Sequence, residues 1–181
     1  MVDVLDRRKV ADSAETDFSP ESIYYRYHKN VYNYIAFRIN NHHDAEELAS
    51  DVFVKAIQGW KRYKHNLPME GWLIGIAKNV VTDYLRKKMR RKFLPFDSIL
   101  NLVSVNDQPE EVVVINEESK NLMSAMAKLR DKERQILSMK FATELKHSEI
   151  AAIMKISESH VGVCAHRAIG KLKKFMEEDV L

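Results

Sequence analysis

The sequence predicts an all-α protein made of two small helical domains joined by an acidic linker, and three observations predict it. Only five Gly and four Pro occur in 181 residues, too few for a β sandwich with turns every ten residues. Good helix formers (Ala, Leu, Glu, Lys, Met) fill the intervals, and apolar residues recur at three- and four-residue steps, the period of a helix with one buried face. Charge divides the chain. Residues 20–94 hold fourteen basic and seven acidic side chains, residues 95–118 none and six, and residues 119–181 twelve and eight. A charged tail over 1–19, a first domain over 20–94, a linker over 95–118 and a second domain over 119–181 follow from that pattern.

The first helix carries a tyrosine-rich stripe, Ile23, Tyr24, Tyr27, Val31, Tyr34, Ile35 and Ile39. A second starts with Asp44 as N-cap and Glu47 three residues on, and buries Ala45, Leu48, Ala49, Val52, Phe53, Ala56, Ile57 and Trp60. Its outer face begins acidic (Asp44, Glu46, Glu47, Asp51) and ends basic (Lys55, Lys61, Arg62, Lys64), an order that complements the helix dipole. A third opens at Pro68, whose fixed φ suits a first turn, with Trp72, Leu73, Ile76, Ala77, Val80, Val81, Tyr84 and Leu85 on its stripe. Together the three make one helical core. The third helix runs into Arg86-Lys87-Lys88-Met89-Arg90-Arg91-Lys92, six cations in seven positions. That exceeds what a helix C-terminus needs and points to phosphate binding. Trp60, Tyr63 and Trp72 gather at the same junction, either as core or as platforms for unstacked bases.

The linker holds Asp97, Asp107, Glu110, Glu111, Glu117 and Glu118 around the apolar runs Ile99-Leu100 and Val112-Val113-Val114-Ile115. It reads equally as a solvated connector and as a strand mimic for a basic channel. Beyond it, Asp131 is the expected N-cap of a helix through Ile136 and Leu137. A short helix around Glu149–Met154, a break at Lys155-Ile156-Ser157 with Ser157 as N-cap, and a longer helix through Val161, Ala165, Ala168, Ile169, Leu172 and Phe175 form a helix-turn-helix. Lys171, Lys173 and Lys174 extend its basic surface.

The same residues exclude several classes. A single cysteine, Cys164, allows no internal disulfide and no Cys-rich metal site, which fits a reducing cytosol. His160 and Cys164 lie four apart, but two ligands do not make a metal site, and Cys164 borders the buried stripe, so a packed thiol is expected. Charges through the first twenty residues leave no secretory signal, and no eighteen-residue apolar run exists to insert in a membrane. With no phosphate loop, nucleophile elbow or zinc motif, neither an enzyme nor a cofactor is expected.

At this level of detail the chain resembles the extracytoplasmic-function sigma factors of bacterial RNA polymerase, within the sigma-70 family, over residues 20–94 and 120–177. Asp44 to Ala56 resembles region 2.2, which implies docking on the polymerase β′ clamp helices through Asp44, Glu46, Glu47, Asp51 and Lys55. Trp72 to Arg86 resembles the helix that reads the minus-ten element, which implies DNA contact at Asn79, Asp83 and Arg86, continued by Lys87 and Arg90. The loop Lys64 to Met69, with His65 and Asn66, would hold a flipped base. Leu129 to Leu137, Glu149-Ile150-Ala151 and Ser157-Glu158-Ser159 resemble the region 4 helix-turn-helix, which implies docking on the β flap and upstream reading by Ser159, His160, Val163, His166, Arg167 and Lys171. Where the family commonly has Thr-Val-Lys-Ser-Arg, this chain has His160-Val161-Gly162-Val163-Cys164, which removes contacts worth on the order of 1–3 kcal/mol each. The resemblance also implies an anti-sigma partner. A stand-alone helix-turn-helix regulator and a sigma-like decoy that binds polymerase or an anti-sigma protein without initiating are the alternatives.

Overall fold

The computed structural model describes residues 19–92 and 117–178, so the tail and nearly all of the linker lie outside the described residues. Seven α-helices and one 3-10 turn make up the described fold, with no strand among those residues. They are α1 (Pro20–Ile39), α2 (His42–Gly59), the 3-10 turn Trp60–Arg62, α3 (Met69–Lys92), α4 (Glu117–Lys128), α5 (Asp131–Ala142), α6 (His147–Met154) and α7 (Glu158–Glu178).

Local chemistry sets each start. Ser19 caps α1 by accepting the Ser22 N–H at 3.1 Å, with Pro20 in the first turn, where no donor is missed. Asn40 ends that helix in the left-handed region (φ 52°), and Asn41 at once begins the next, its Oδ1 accepting the Asp44 N–H at 2.9 Å. The expected cap at Asp44 is therefore corrected. The helix starts three residues earlier, and the Asp44 carboxylate, freed from capping, accepts the Tyr84 hydroxyl of α3. Pro68 stands just before α3, and its carbonyl accepts the Trp72 N–H at 3.1 Å. Asp131 is likewise the first residue of α5 rather than its cap, because its carboxylate is committed to a distant arginine.

The predicted stripes are largely those that pack. Ala45, Leu48, Ala49, Val52, Phe53 and Ala56 of α2 are buried, as are Leu73, Ala77, Val80 and Val81 of α3 and Val161, Ala165, Ala168 and Leu172 of α7. Ile57 and Tyr24 depart from the expectation and face solvent. Helices α1, α2 and α3 pack on one another, and α7 packs on α4, α5 and α6.

The two groups of helices share one continuous core. Helix α1 lies along α5 and touches α4, and α3 meets α6. Arg38, in the last turn of α1 and only 2 % exposed, donates to the Asp131 carboxylate at 2.7 Å and to its carbonyl at 3.3 Å. Arg134 returns a hydrogen bond to the Arg38 carbonyl at 3.5 Å. Farther along, Lys78 of α3 donates to the Ile153 carbonyl in the last turn of α6 at 3.3 Å. Gly71, Ile74 and Lys78 lie at helical spacing on one face of α3, and a Cβ on Gly71 would stand 3.5 Å from the Leu145 side chain. That placement accounts for the burial of Ile74, which lies off the predicted stripe.

Candidate nucleic-acid interface

The C-terminal half of α3 presents Asn79, Asp83, Arg86, Lys87 and Arg90, all exposed. Asp83 and Arg86 approach to 3.3 Å across one turn, a pair screened by water on both sides and easily exchanged for a phosphate. Lys88 folds back on Tyr84, 3.1 Å from its hydroxyl and 5.4 Å from the ring centre, so it braces the helix rather than extending outward. Arg86 and Arg90 also line a cleft of about 690 Å³ with Thr82, Leu85 and Met89, whose far side carries Arg38 and Asp131.

At the other end of α3, the loop before Met69 rests on a cluster of tilted and edge-on rings. Tyr63 lies 4.9 Å from Trp72 and 5.5 Å from Trp60, and Trp60 meets Trp72 edge-on at 5.8 Å. The Tyr63 hydroxyl donates to the Leu67 carbonyl at 2.8 Å and closes the loop, while burial pushes its own ionisation upward. His65, at a φ of 53°, lies tilted against Tyr63 with ring centres 4.2 Å apart, and Asn66 is exposed beside it. The aromatic trio is half-buried support, with His65 and Asn66 as the outward residues.

On α2, Glu46, Glu47, Asp51 and Lys55 are exposed, whereas Asp44 is half-buried against Tyr84. Glu46 approaches His28 at 3.6 Å. Val54 and Ile57, each more than half exposed, add an apolar element beside the charges that the stripe analysis missed. They stand next to a groove of about 270 Å³ lined by Pro20, Ile23, Phe53, Ala56, Ile57, Trp60 and Trp72. Among the described residues, His43, Asp44 and Glu47 bring potential metal-binding atoms within 4.8 Å of one another. Asp44 is already engaged there, and the first turn of a helix disfavours a cation.

The helix-turn-helix forms as the spacing predicts. Lys155 adopts the left-handed region (φ 55°), so that the N–H groups of Lys155 and Ile156 close on the Ala152 and Ala151 carbonyls. Ser157 then caps α7 by accepting the His160 N–H at 3.3 Å. Ser159, His160, Val163, His166 and Arg167 are exposed along α7, and Cys164 is partly buried against the core. Lys171 differs from the others: its ammonium donates to the Glu133 carboxylate at 2.6 Å, and this bond holds the Glu133 carboxyl below its usual range. Gly162 leaves its flank of α7 open, since a Cβ there would meet only the His147 ring, at 3.9 Å.

Known proteins share the order of these parts and the fold. The family model Sigma-70 region 2 matches residues 23–91, and Sigma-70, region 4 matches residues 125–174. The RNA polymerase sigma factor YlaC of Bacillus subtilis is 31% identical over 87% of this chain and 92% of its own length. The ECF RNA polymerase sigma factor SigX of the same organism is 26% identical over 86% of this chain and 82% of its own. The sigma factor RpoE of Bartonella quintana, solved with the anti-sigma factor NepR, shares the fold with a TM-score of 0.69 over 87% of this chain and 96% of that one, at 16% identity. CnrH, solved with the cytosolic domain of CnrY, superposes with a TM-score of 0.61 over 96% of this chain and 98% of that one, at 21% identity.

Proposed function

The chain belongs to the sigma-70 family, among the sigma factors of the extracytoplasmic-function type, and from that premise we propose how its surfaces divide the work of starting transcription. The exposed Glu46, Glu47, Asp51 and Lys55 of α2, with Val54 and Ile57 beside them, meet the clamp helices of the polymerase β′ subunit. Asp44 supports that surface from behind by holding α2 to α3. Asn79, Asp83 and Arg86 of α3, continued by Lys87 and Arg90, take the minus-ten element, and the loop at His65 and Asn66 receives an unstacked base from it. Helix α7 lies in the upstream major groove, where Val163 offers its methyl groups to a thymine methyl and Arg167 and His166 face the backbone. The second half also docks on the β flap, and the acidic linker runs toward the RNA path.

Catalysis belongs to the polymerase, and the protein works in the cytoplasm; no described helix is long and apolar enough to cross a membrane. An anti-sigma protein that covers both halves until a signal arrives is the partner expected of the family. The single observation that carries the reading is the order of parts: an exposed cationic helix face behind an aromatic-backed loop, then a capped helix-turn-helix, each within its own family match.

The test is run-off transcription from a genomic promoter library with core polymerase, with and without the protein. Discrete protein-dependent starts are expected. Stable core binding without new starts would instead support a decoy, and tight promoter binding with no core binding a stand-alone regulator. Reversing the charges of Arg86, Lys87 and Arg90 together should abolish those starts. Truncating Arg90 alone should weaken holoenzyme–promoter binding evenly across sequences and lower the slope against log salt by about 1.

A further inference from the structure

We infer that the chain's own N-terminal tail docks on the apolar groove at the end of α2, with Phe18 in the groove and residues 10–17 beside it, and there competes with polymerase. The consequence rests on the sigma reading, whereas the docking rests on how α1 begins. The groove, about 270 Å³, lies between the first turns of α1 (Pro20, Ile23), the end of α2 (Phe53, Ile57) and the rings of Trp60 and Trp72. Ile57 is more than half exposed there.

The cap of α1 aims the tail at this groove. Ser19 is extended (φ −100°, ψ 144°); its hydroxyl accepts the Ser22 N–H at 3.1 Å and its carbonyl the Ile23 N–H at 3.3 Å. At a helix start of this form, an apolar residue just before the cap packs on an apolar fourth residue of the helix and fixes the angle at which the chain enters. Those two positions are Phe18, the last residue before the described ones, and Ile23, which already lines the groove. A phenyl ring so placed enters a pocket walled by Phe53, Trp60 and Trp72, the kind of surface on which aromatic rings make edge and offset contacts.

Charge favours the same course. From Val10 to Ser19 the tail has three carboxylates, Asp12, Glu15 and Asp17, and no cation. From Val52 to Leu67 the reverse holds: Lys55, Lys61, Arg62 and Lys64 occur with no carboxylate, and all four are exposed. Residues 10–18 reach up to about 30 Å when extended, ample to run from Pro20 past Trp60 to the cations that follow it. Ile57 belongs both to this groove and to the apolar edge proposed to meet the β′ clamp helices, so a seated tail and polymerase exclude each other. One ring and a few charges screened by solvent hold the tail, a hold that a larger interface displaces.

Both tryptophans of the chain line the groove, so intrinsic fluorescence reads its occupancy. In the full chain, Phe18→Asp should shift the emission to the red and raise acrylamide quenching roughly twofold, with the far-UV circular dichroism of the parent retained. A second variant, Asp12→Asn, Glu15→Gln and Asp17→Asn together, keeps the ring and removes the charge. It should raise quenching by a smaller amount, and its difference from the parent should fade in high salt. Phe18→Asp should also bind core polymerase about tenfold more tightly, the gain expected if the tail fills the groove about nine-tenths of the time. Unchanged quenching in both variants, or raised quenching with unchanged core affinity, overturns the inference. Tryptophan protection that disappears when the parent is diluted would put a second copy in the groove and overturns it as well. If neither parent nor variant binds core, the sigma reading fails, and the fluorescence still decides whether the tail lies in the groove.

Discussion

Arg38 is 2 % exposed while its partner Asp131 is 73 % exposed, and this asymmetry decides which substitution is the more damaging. Asp131→Ala leaves a buried guanidinium with only the residue 131 carbonyl at 3.3 Å, and loss of such a charge-assisted hydrogen bond costs about 2 kcal/mol. Arg38→Met keeps the packed stem and leaves only a solvated carboxylate, so it should cost about 1 kcal/mol. Urea midpoints of the two variants check the order, and equal losses would contradict it. Glu133 offers a second test, because Lys171 holds its carboxyl below the ordinary 4.5. A folded-state pKa lowered in this way stabilises the fold above the unfolded value, and the contribution disappears as pH falls through the folded one. Glu133→Gln should therefore lower the urea midpoint at pH 7, with the gap to the parent closing in acid below about pH 4.

Helix boundaries show where local sequence stops being sufficient. The stripes of α2, α3 and α7 were legible because a 3.6-residue period is a property of the segment itself. Their caps were less so: Asn41 and Asp44 both offer the right oxygen, and only the fold assigns the first to capping and the second to Tyr84. The helix-turn-helix is the most legible element, since its break and its Ser157 cap fall where the spacing puts them. Lys155 beside it stores strain, because a left-handed L-residue costs about 1–2 kcal/mol. Lys155→Gly should raise stability by about 1 kcal/mol in thermal unfolding, while Ser157→Ala lowers it by about 1 kcal/mol. A stabilising Ser157→Ala would refute the capping role.

Contact between the halves was not legible at all, because no local period signals a surface completed 93 residues away. Arg38 and Gln135 are buried where the halves meet, against Asp131 and Tyr34, and a stripe drawn for one domain omits them. The seam also carries a pH dependence. Burial raises the Glu70 carboxyl above its ordinary 4.5, hydrogen bonds from the Asn30 amide at 2.6 Å and from the Glu144 backbone N–H partly oppose this, and the Glu144 and Glu149 carboxylates of the second half add a smaller repulsion. A raised carboxyl pKa means the folded form holds its proton longer, so stability declines as pH rises from 4.5 through the raised value. Glu70→Gln should flatten that decline in equilibrium unfolding between pH 4 and 7; an unchanged slope would assign it elsewhere. The 93-residue separation has a temporal meaning as well. At about 5–20 residues per second, a ribosome needs roughly 5–20 s to go from Arg38 to Asp131. Through that interval the face of α1 that α5 covers in the finished fold has no partner from its own chain, so synthesis, not only folding, sets when that apolar surface is buried.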